Sequence, residues 1–288
     1  QPIMDVRTIG VVGCGLMGSG IAEVAAKSGF QVLVREQNES FLKKGLGRIE
    51  QSLARAVSKG KLSAEDKTTV QAKIAGGIGL DEALATCDLV IEAITEDIDL
   101  KREIFRALDT ICPASTILAS NTSSISVIEL AAVTRRPTQV LGMHFFNPVP
   151  VMPLLELVRT VQTDDATLDI GRAVGERMGK KMIVAKDAPG FVVNRLLIPY
   201  MLDGIRVYEQ GLASREDIDN GMVMGANHPM GPLTLADFVG LDTTLFVADV
   251  LFEELGETRF KAPTLLRRLV SAGHTGRKSG RGIYTYHS

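Results

Sequence analysis

A histidine and a glutamate stand twelve residues apart in "GMHFFNPVPVMPLLELVRT", residues 142–160. His144 lies at the end of one apolar run and Glu156 inside the next. A lone histidine on an apolar strand is ordinarily a core residue satisfied by a backbone carbonyl, and a carboxylate nearby changes what it can do. A neutral imidazole is a general base suited to pH 7, and a carboxylate bonded to its far nitrogen fixes the tautomer and stabilises the imidazolium that forms. Oxidation of an alcohol needs such a base. The sharply turning "NPVP" can fold the two runs side by side, and a buried glutamate needs a partner because an unpaired charge in an apolar setting is costly.

A second constellation begins at residue 10 in "GVVGCGLMGSGIAEVA". Gly13, Gly15 and Gly18 have the G-x-G-x-x-G spacing, directly after an apolar run and at the start of a helical one. The three glycines serve a tight turn, close approach of backbone to a pyrophosphate, and close helix-to-strand packing. The helix N-terminus then offers unpaired N–H groups and partial positive charge to phosphates. Glu36 ends the next apolar run, where an acid can hold a ribose 2′-hydroxyl. Arg35 beside it could meet a 2′-phosphate, but Glu36 would repel that group, so the reading favours NAD over NADP.

Two polar groups stay open on spacing alone. "SNTSS", residues 120–124, follows a strand-like run, where ligands of α/β sheets gather. Ser123 or Ser124 could equally cap the helix that "ISVIELAAV" predicts. Asn194 in "GFVVNRLL" is either a satisfied polar core group or a donor facing substrate.

The elements that must position these residues alternate. Apolar strand-like runs at 7–13, 31–36, 87–94, 115–120 and 139–146 are separated mostly by segments of helical spacing, which predicts a doubly wound, mostly parallel sheet of Rossmann type. Residues 39–67 are a charged helical pair broken near Gly60. Beyond about Lys186 only helical segments follow, at 190–210, 214–224, 232–255 with a break at Gly240, and 263–272, before a short strand-like "GIYTY" at 282–286. The expected organisation is a dinucleotide-binding domain over 1–186 and an all-helical domain over 187–288.

Composition excludes several classes. A net charge of -2 over 288 residues lacks the basic footprint of nucleic-acid binding. No run reaches the roughly 18 apolar residues of a membrane span, and the apolar N-terminal run reads as the first strand rather than a signal peptide. Cys14, Cys87 and Cys112 have neither the even count of a disulfide framework nor metal-ligand spacing, so a reducing, cytoplasmic setting and no metal are expected.

"SNTSSI", "HFFNPVPVM", "PGFVVNRLL", "HPMGPL" and "GRKSGRGIY" occur in this order, and with them the chain resembles the L-3-hydroxyacyl-CoA dehydrogenase family over essentially its whole length, nearest its short bacterial 3-hydroxybutyryl-CoA dehydrogenases. The resemblance implies NAD-dependent interconversion of L-3-hydroxyacyl-CoA and 3-ketoacyl-CoA, with His144 and Glu156 as the catalytic pair and Ser123 and Asn194 as substrate contacts. It assigns NAD to Gly13, Gly15, Gly18, Glu36, Glu96, Lys101, Ser123, Asn147 and Lys278, and places Ser52 and Lys59 near the CoA. It also implies a homodimer built through the helical domain. The chain departs from the family at Glu36, where Asp is usual, and at Arg35, where an apolar residue is usual. Residues 39–67 agree with an acyl-CoA partner, holding seven Lys or Arg against four acids, a local charge of +3, although a solvated helix face would look the same. The rival readings are a dehydrogenase of small 3-hydroxy acids, which typically relies on a lysine, and an idle, crystallin-like relative.

Overall fold

The computed structural model describes residues 4–287. Its strands are β1 (Thr8–Val12), β2 (Gln31–Glu36), β3 (Ile74–Ile78), β4 (Leu89–Glu92), β5 (Ile117–Ser120), β6 (Val140–Phe145), β7 (Leu154–Arg159) and β8 (Lys181–Lys186). Among the described residues they form one sheet in the order β3-β2-β1-β4-β5-β6-β7-β8. Pairings from β3 across to β6 are parallel, β7 runs antiparallel to β6, and β8 runs parallel to β7. The strand order reverses between β1 and β4, so their carboxyl ends open a crevice there.

Helices α1 (Leu16–Lys27), α2 (Glu39–Ser58), α3 (Ala64–Ala72), α4 (Ile98–Ile111), α5 (Val127–Ala131) and α6 (Asp165–Arg177) belong to the same unit. Because helices cover both faces of the sheet, its central strands read as continuous apolar runs; every residue of β4, β5 and β6 is buried. Helix α4 turns Lys101, Phe105 and Leu108 inward at helical spacing, and the Asp97 side chain caps it by accepting the Leu100 N–H at 3.0 Å.

The edge strands β3 and β8 are the elements the sequence pattern does not announce. In β3, "IAGGI" has no alternation because Gly76 lies under Leu42 and Leu46 of α2, and Gly77 under the Arg35 guanidinium. In β8, lysines flank a half-buried run at the far edge. The cap of α5 also differs from expectation. The helix starts at Val127, and Asp187, beyond β8, accepts the N–H groups of Val127 and Ile128 at 2.9 and 2.7 Å and the Ser126 hydroxyl at 2.9 Å. A carboxylate just past β8 thus replaces a local serine.

One compact unit closes at Ala188 and a second opens at Pro189. The second holds α7 (Val193–Glu209), α8 (Arg215–Ala226), α9 (Pro232–Val239), α10 (Leu241–Leu255) and α11 (Thr264–Ser271), packed around Met201, Leu202, Ile205, Leu233, Leu251 and Phe260. The expected strand at 282–286 is instead a coiled tail with two isolated bridges, Gly276 to Arg281 and Arg281 to Thr285. Its backbone is satisfied by the buried Asp237, which accepts the N–H groups of Ile283 and Tyr284 at 2.9 Å each and the Tyr286 hydroxyl at 2.8 Å. A carboxylate inside a helical bundle does here what a partner strand would do in a sheet.

Candidate active site

The glycine loop joins β1 to α1 as its spacing predicts. At Gly13 φ is +93°, a conformation open to glycine, and a side chain there would meet the Ala93 carbonyl at 2.6 Å. A side chain at Gly18 would strike the Gly13 carbonyl oxygen at 1.9 Å, whereas one at Gly15 would meet nothing within 4 Å. The loop therefore packs tightly on two sides and leaves its middle open. Helix α1 begins there with no side-chain cap and no acid in its first turn, which leaves its N–H groups for an anion.

Glu36, at the end of β2, receives the Cys14 N–H at 2.8 Å on one oxygen and the Gln37 N–H at 2.8 Å on the other. Arg35 points to the opposite face of the strand, as alternation requires. There it is buried, with Nε 3.0 Å from Asp81 and Nη1 donating to the Val34 carbonyl. The arginine that could have met a 2′-phosphate is engaged elsewhere. The Cys14 thiol is buried between the loop and α2, and its pKa is pushed up to about 11, first by burial and then by the Glu36 charge.

Across the crevice, β4 ends in Glu92, a fully buried carboxylate that residue spacing did not single out. It pairs with Lys101 of α4, also fully buried, and accepts the Ile94 N–H at 2.9 Å and the Ser120 hydroxyl at 2.6 Å. Lys101 lies 3.5 Å from Glu96. Glu96 in turn receives the hydroxyls of Thr122 at 2.6 Å and Ser124 at 2.7 Å, the residues on either side of the half-buried Ser123. Asn121 accepts the Phe145 N–H at 2.9 Å and so extends the β5–β6 ladder past His144.

His144 and Glu156 are register partners across the antiparallel β6–β7 pair. The ring Nδ1 lies 2.9 Å from Glu156 Oε1, with both residues buried. Phe146 leans on the imidazole with ring centroids 4.6 Å apart. The turn between the strands carries Asn147 on the surface, in a cis peptide bond with Pro148. The Lys180 ammonium holds this turn from below, donating to the carbonyls of Val149 and Met152, and burial lowers its pKa.

Between α1, α2, α3 and that turn lies a cleft of about 860 Å³ whose walls include Ser52, Lys59 and Asn147. Lys27, Arg48, Arg55, Lys59, Lys61 and Lys73 line it against the acids Glu23 and Asp66. The Ser52 hydroxyl is bonded to Glu23 at 2.9 Å, beside Lys27. Arg48 donates to the Cys14 carbonyl at 3.3 Å, which ties the cleft to the glycine loop. Asn194 and Lys278 belong to the second unit. Asn194 stands half-buried in the first turn of α7, and Lys278 is paired with Asp242 at 2.7 Å. Among the described residues, no group of three or more His, Cys, Asp or Glu side chains is arranged to hold a metal ion.

Comparison with known proteins follows the same division. The family model for the NAD binding domain of 3-hydroxyacyl-CoA dehydrogenase matches residues 8–188, and that for its C-terminal domain matches residues 190–286. The chain is 48% identical to the 3-hydroxybutyryl-CoA dehydrogenase of Mycobacterium tuberculosis over 286 residues, 98% of this chain and 99% of that one. It is 43% identical to the mitochondrial hydroxyacyl-coenzyme A dehydrogenase of Homo sapiens, over 98% of this chain and 91% of that one. The crystal structure of (S)-3-hydroxybutyryl-CoA dehydrogenase from Ralstonia eutropha superposes with a TM-score of 0.94 at 46% identity, covering 99% of this chain and 100% of the other.

Proposed function

Since the chain belongs to the 3-hydroxyacyl-CoA dehydrogenase family, we propose that it interconverts L-3-hydroxybutyryl-CoA and acetoacetyl-CoA, with His144 as the group that exchanges the proton. It is an NAD-dependent oxidoreductase of 3-hydroxyacyl-CoA substrates. The observation that carries the assignment to His144 is its bond to Glu156 at the carboxyl end of β6.

The groups present fit a dinucleotide. The open middle of the glycine loop and the uncapped start of α1 suit a pyrophosphate, and Glu36 suits a ribose hydroxyl. A bound NAD would supply the acceptor for the hydride at C3 of the hydroxyacyl group. The protein's own contribution is proton transfer and positioning. Glu156 occupies Nδ1, so Nε2 takes the C3 hydroxyl proton, and the carboxylate stabilises the imidazolium that results. In the reverse direction Nε2 returns the proton to the ketone oxygen. The family resemblance assigns Ser123 and Asn194 to the reacting oxygen and thioester, Glu96, Lys101, Ser123, Asn147 and Lys278 to the cofactor, and Ser52 and Lys59 to the CoA. The cationic lining of the α1–α2–α3 cleft supports the last of these.

NADH absorbance after addition of acetoacetyl-CoA tests the reading. Consumption of NADH that is lost in His144→Gln supports it, and a folded protein inert towards acetoacetyl-CoA would be the idle relative instead. No helix of the described residues is long and apolar enough to cross a membrane, and the reading places the enzyme in the cytoplasm. It acts as a homodimer joined through the helical unit, where Leu196, Met224, Phe238 and Phe246 expose apolar surface. Sedimentation of a single species at twice the chain mass is the expected result.

A further inference from the structure

Glu92 and Lys101 are each without solvent exposure, yet neither is a core residue by chemistry. A buried ion pair of this kind seldom adds net stability, because two charges must leave water. Its bonds reach the loop after β4 and the loop that carries Ser123. Glu92 is fixed at the end of β4 by the Ile94 N–H and the Ser120 hydroxyl, and the Ser120 oxygen also accepts the Thr122 N–H at 3.1 Å. Lys101 bridges Glu92 to Glu96, and Glu96 grips Thr122 and Ser124 by their hydroxyls. The Thr122 oxygen closes the turn by accepting the Ile125 N–H at 2.9 Å. Both neighbours of Ser123 are therefore held from the interior by one chain of charge-assisted bonds, while the Ser123 side chain itself takes no part in it. The Lys101 ammonium is a tie between two carboxylates.

We propose that Glu92 is a positioning residue for Ser123, acting through Lys101 and Glu96; the proposal rests on the assignment of Ser123 to the reacting groups. A misplacement of a contact residue by about an ångström is enough to cost a large factor in rate, and loss of the anchor releases the whole 120–125 loop. The test is a double-mutant cycle of Glu92→Gln with Ser123→Ala, followed by kcat/KM for acetoacetyl-CoA with NADH below the unfolding range of every variant. Glu92→Gln is expected to lower kcat/KM by about tenfold when Ser123 is present, and by less than about threefold when Ser123→Ala has already removed the group being positioned. Equal losses in both backgrounds, or no loss in either, overturn the proposal, since a purely structural or a direct cofactor role would ignore residue 123. If Ser123→Ala alone leaves kcat/KM intact, the Ser123 assignment has failed and this inference falls with it. Should Glu92→Gln not fold because Lys101 has lost its fully buried partner, Glu92→Gln with Lys101→Met removes both charges and carries the same comparison.

Discussion

His144 and Glu156 face each other as register partners of β6 and β7, with Nδ1 2.9 Å from the carboxylate. Strand pairing, and not a flexible side-chain contact, sets their distance. His144→Gln should therefore keep the fold and NADH binding while kcat falls by at least about two orders of magnitude, the scale of general acid–base catalysis. Circular dichroism and an NADH titration beside the rate measurement check this. Glu156→Gln should also lower kcat, because the imidazolium loses its charge partner; if it only lowers the melting temperature, Glu156 is a structural group.

Nucleotide choice turns on which side of β2 each charge occupies. Arg35 is buried against Asp81, so Glu36→Ala should weaken NADH binding without making NADPH the better cofactor. Glu36→Ala combined with Asp81→Ala, which releases the guanidinium, should narrow the gap further. A Glu36→Ala enzyme that prefers NADPH would show that Arg35 swings to the loop despite its pairing.

Lys59 lines the cationic cleft as the C-cap of α2. Lys59→Ala should raise the Michaelis constant for acetoacetyl-CoA roughly two- to fivefold, the range of an exposed charge contact, with the penalty shrinking as salt is added. Turnover at saturation should hold. A pantetheine substrate without the nucleotide phosphates should not register the change; an equal loss with both substrates would place the role of Lys59 in the helix end.

Two glycines of α2 should respond with opposite sign. A methyl at Gly45 would come within 2.3 Å of the Cys14 sulfur and 2.4 Å of its carbonyl, whereas one at Gly47 would meet nothing within 4 Å. Gly47→Ala is expected to stabilise by about 0.5–1 kcal/mol, the ordinary gain in a helix interior. Gly45→Ala should destabilise and weaken NADH binding, because α2 must move off the glycine loop. Urea midpoints of the two variants decide it.

Burial pushes the thiol of Cys14 up to about 11, that of Cys112 to about 11 and that of Cys87 to about 12, from an ordinary 9.0. A raised pKa means that the folded chain keeps protons which the unfolded chain has already released. Stability should then be unaffected at pH 7 and decline as pH climbs through 9 towards 11. A urea midpoint that stays level or rises over that interval would contradict the burial of these thiols.

The sequence carried the central strands and the β6–β7 hairpin because their signals are local: continuous apolar runs, a glycine loop at a strand end, and a histidine and glutamate flanking a turn. It also marked the five helices after residue 190, with the break at Gly240. What it hid depends on distant partners. Strand β3 lacks alternation because its glycines sit beneath α2 and Arg35, the cap of α5 comes from Asp187, and Asp237 satisfies the tail that looked like a strand. Glu92 escaped for the same reason, although a carboxylate ending the run "CDLVIE" was the one available hint.

The β6–β7 junction also bears on the order in which the protein assembles. Residues 146–153 alone join these strands, whereas pairing Ile9 of β1 with Leu89 of β4 must close a loop of some eighty residues. Closure entropy grows with loop length, and contacts between near neighbours in the chain form sooner than distant ones. On length alone the His144–Glu156 pair lies on a ribbon that can zip before the dinucleotide crevice exists. Pulse-labelled amides of 140–159 should therefore gain protection ahead of those in β1 and β4, so that during folding the histidine–glutamate ribbon precedes the crevice beside the glycine loop.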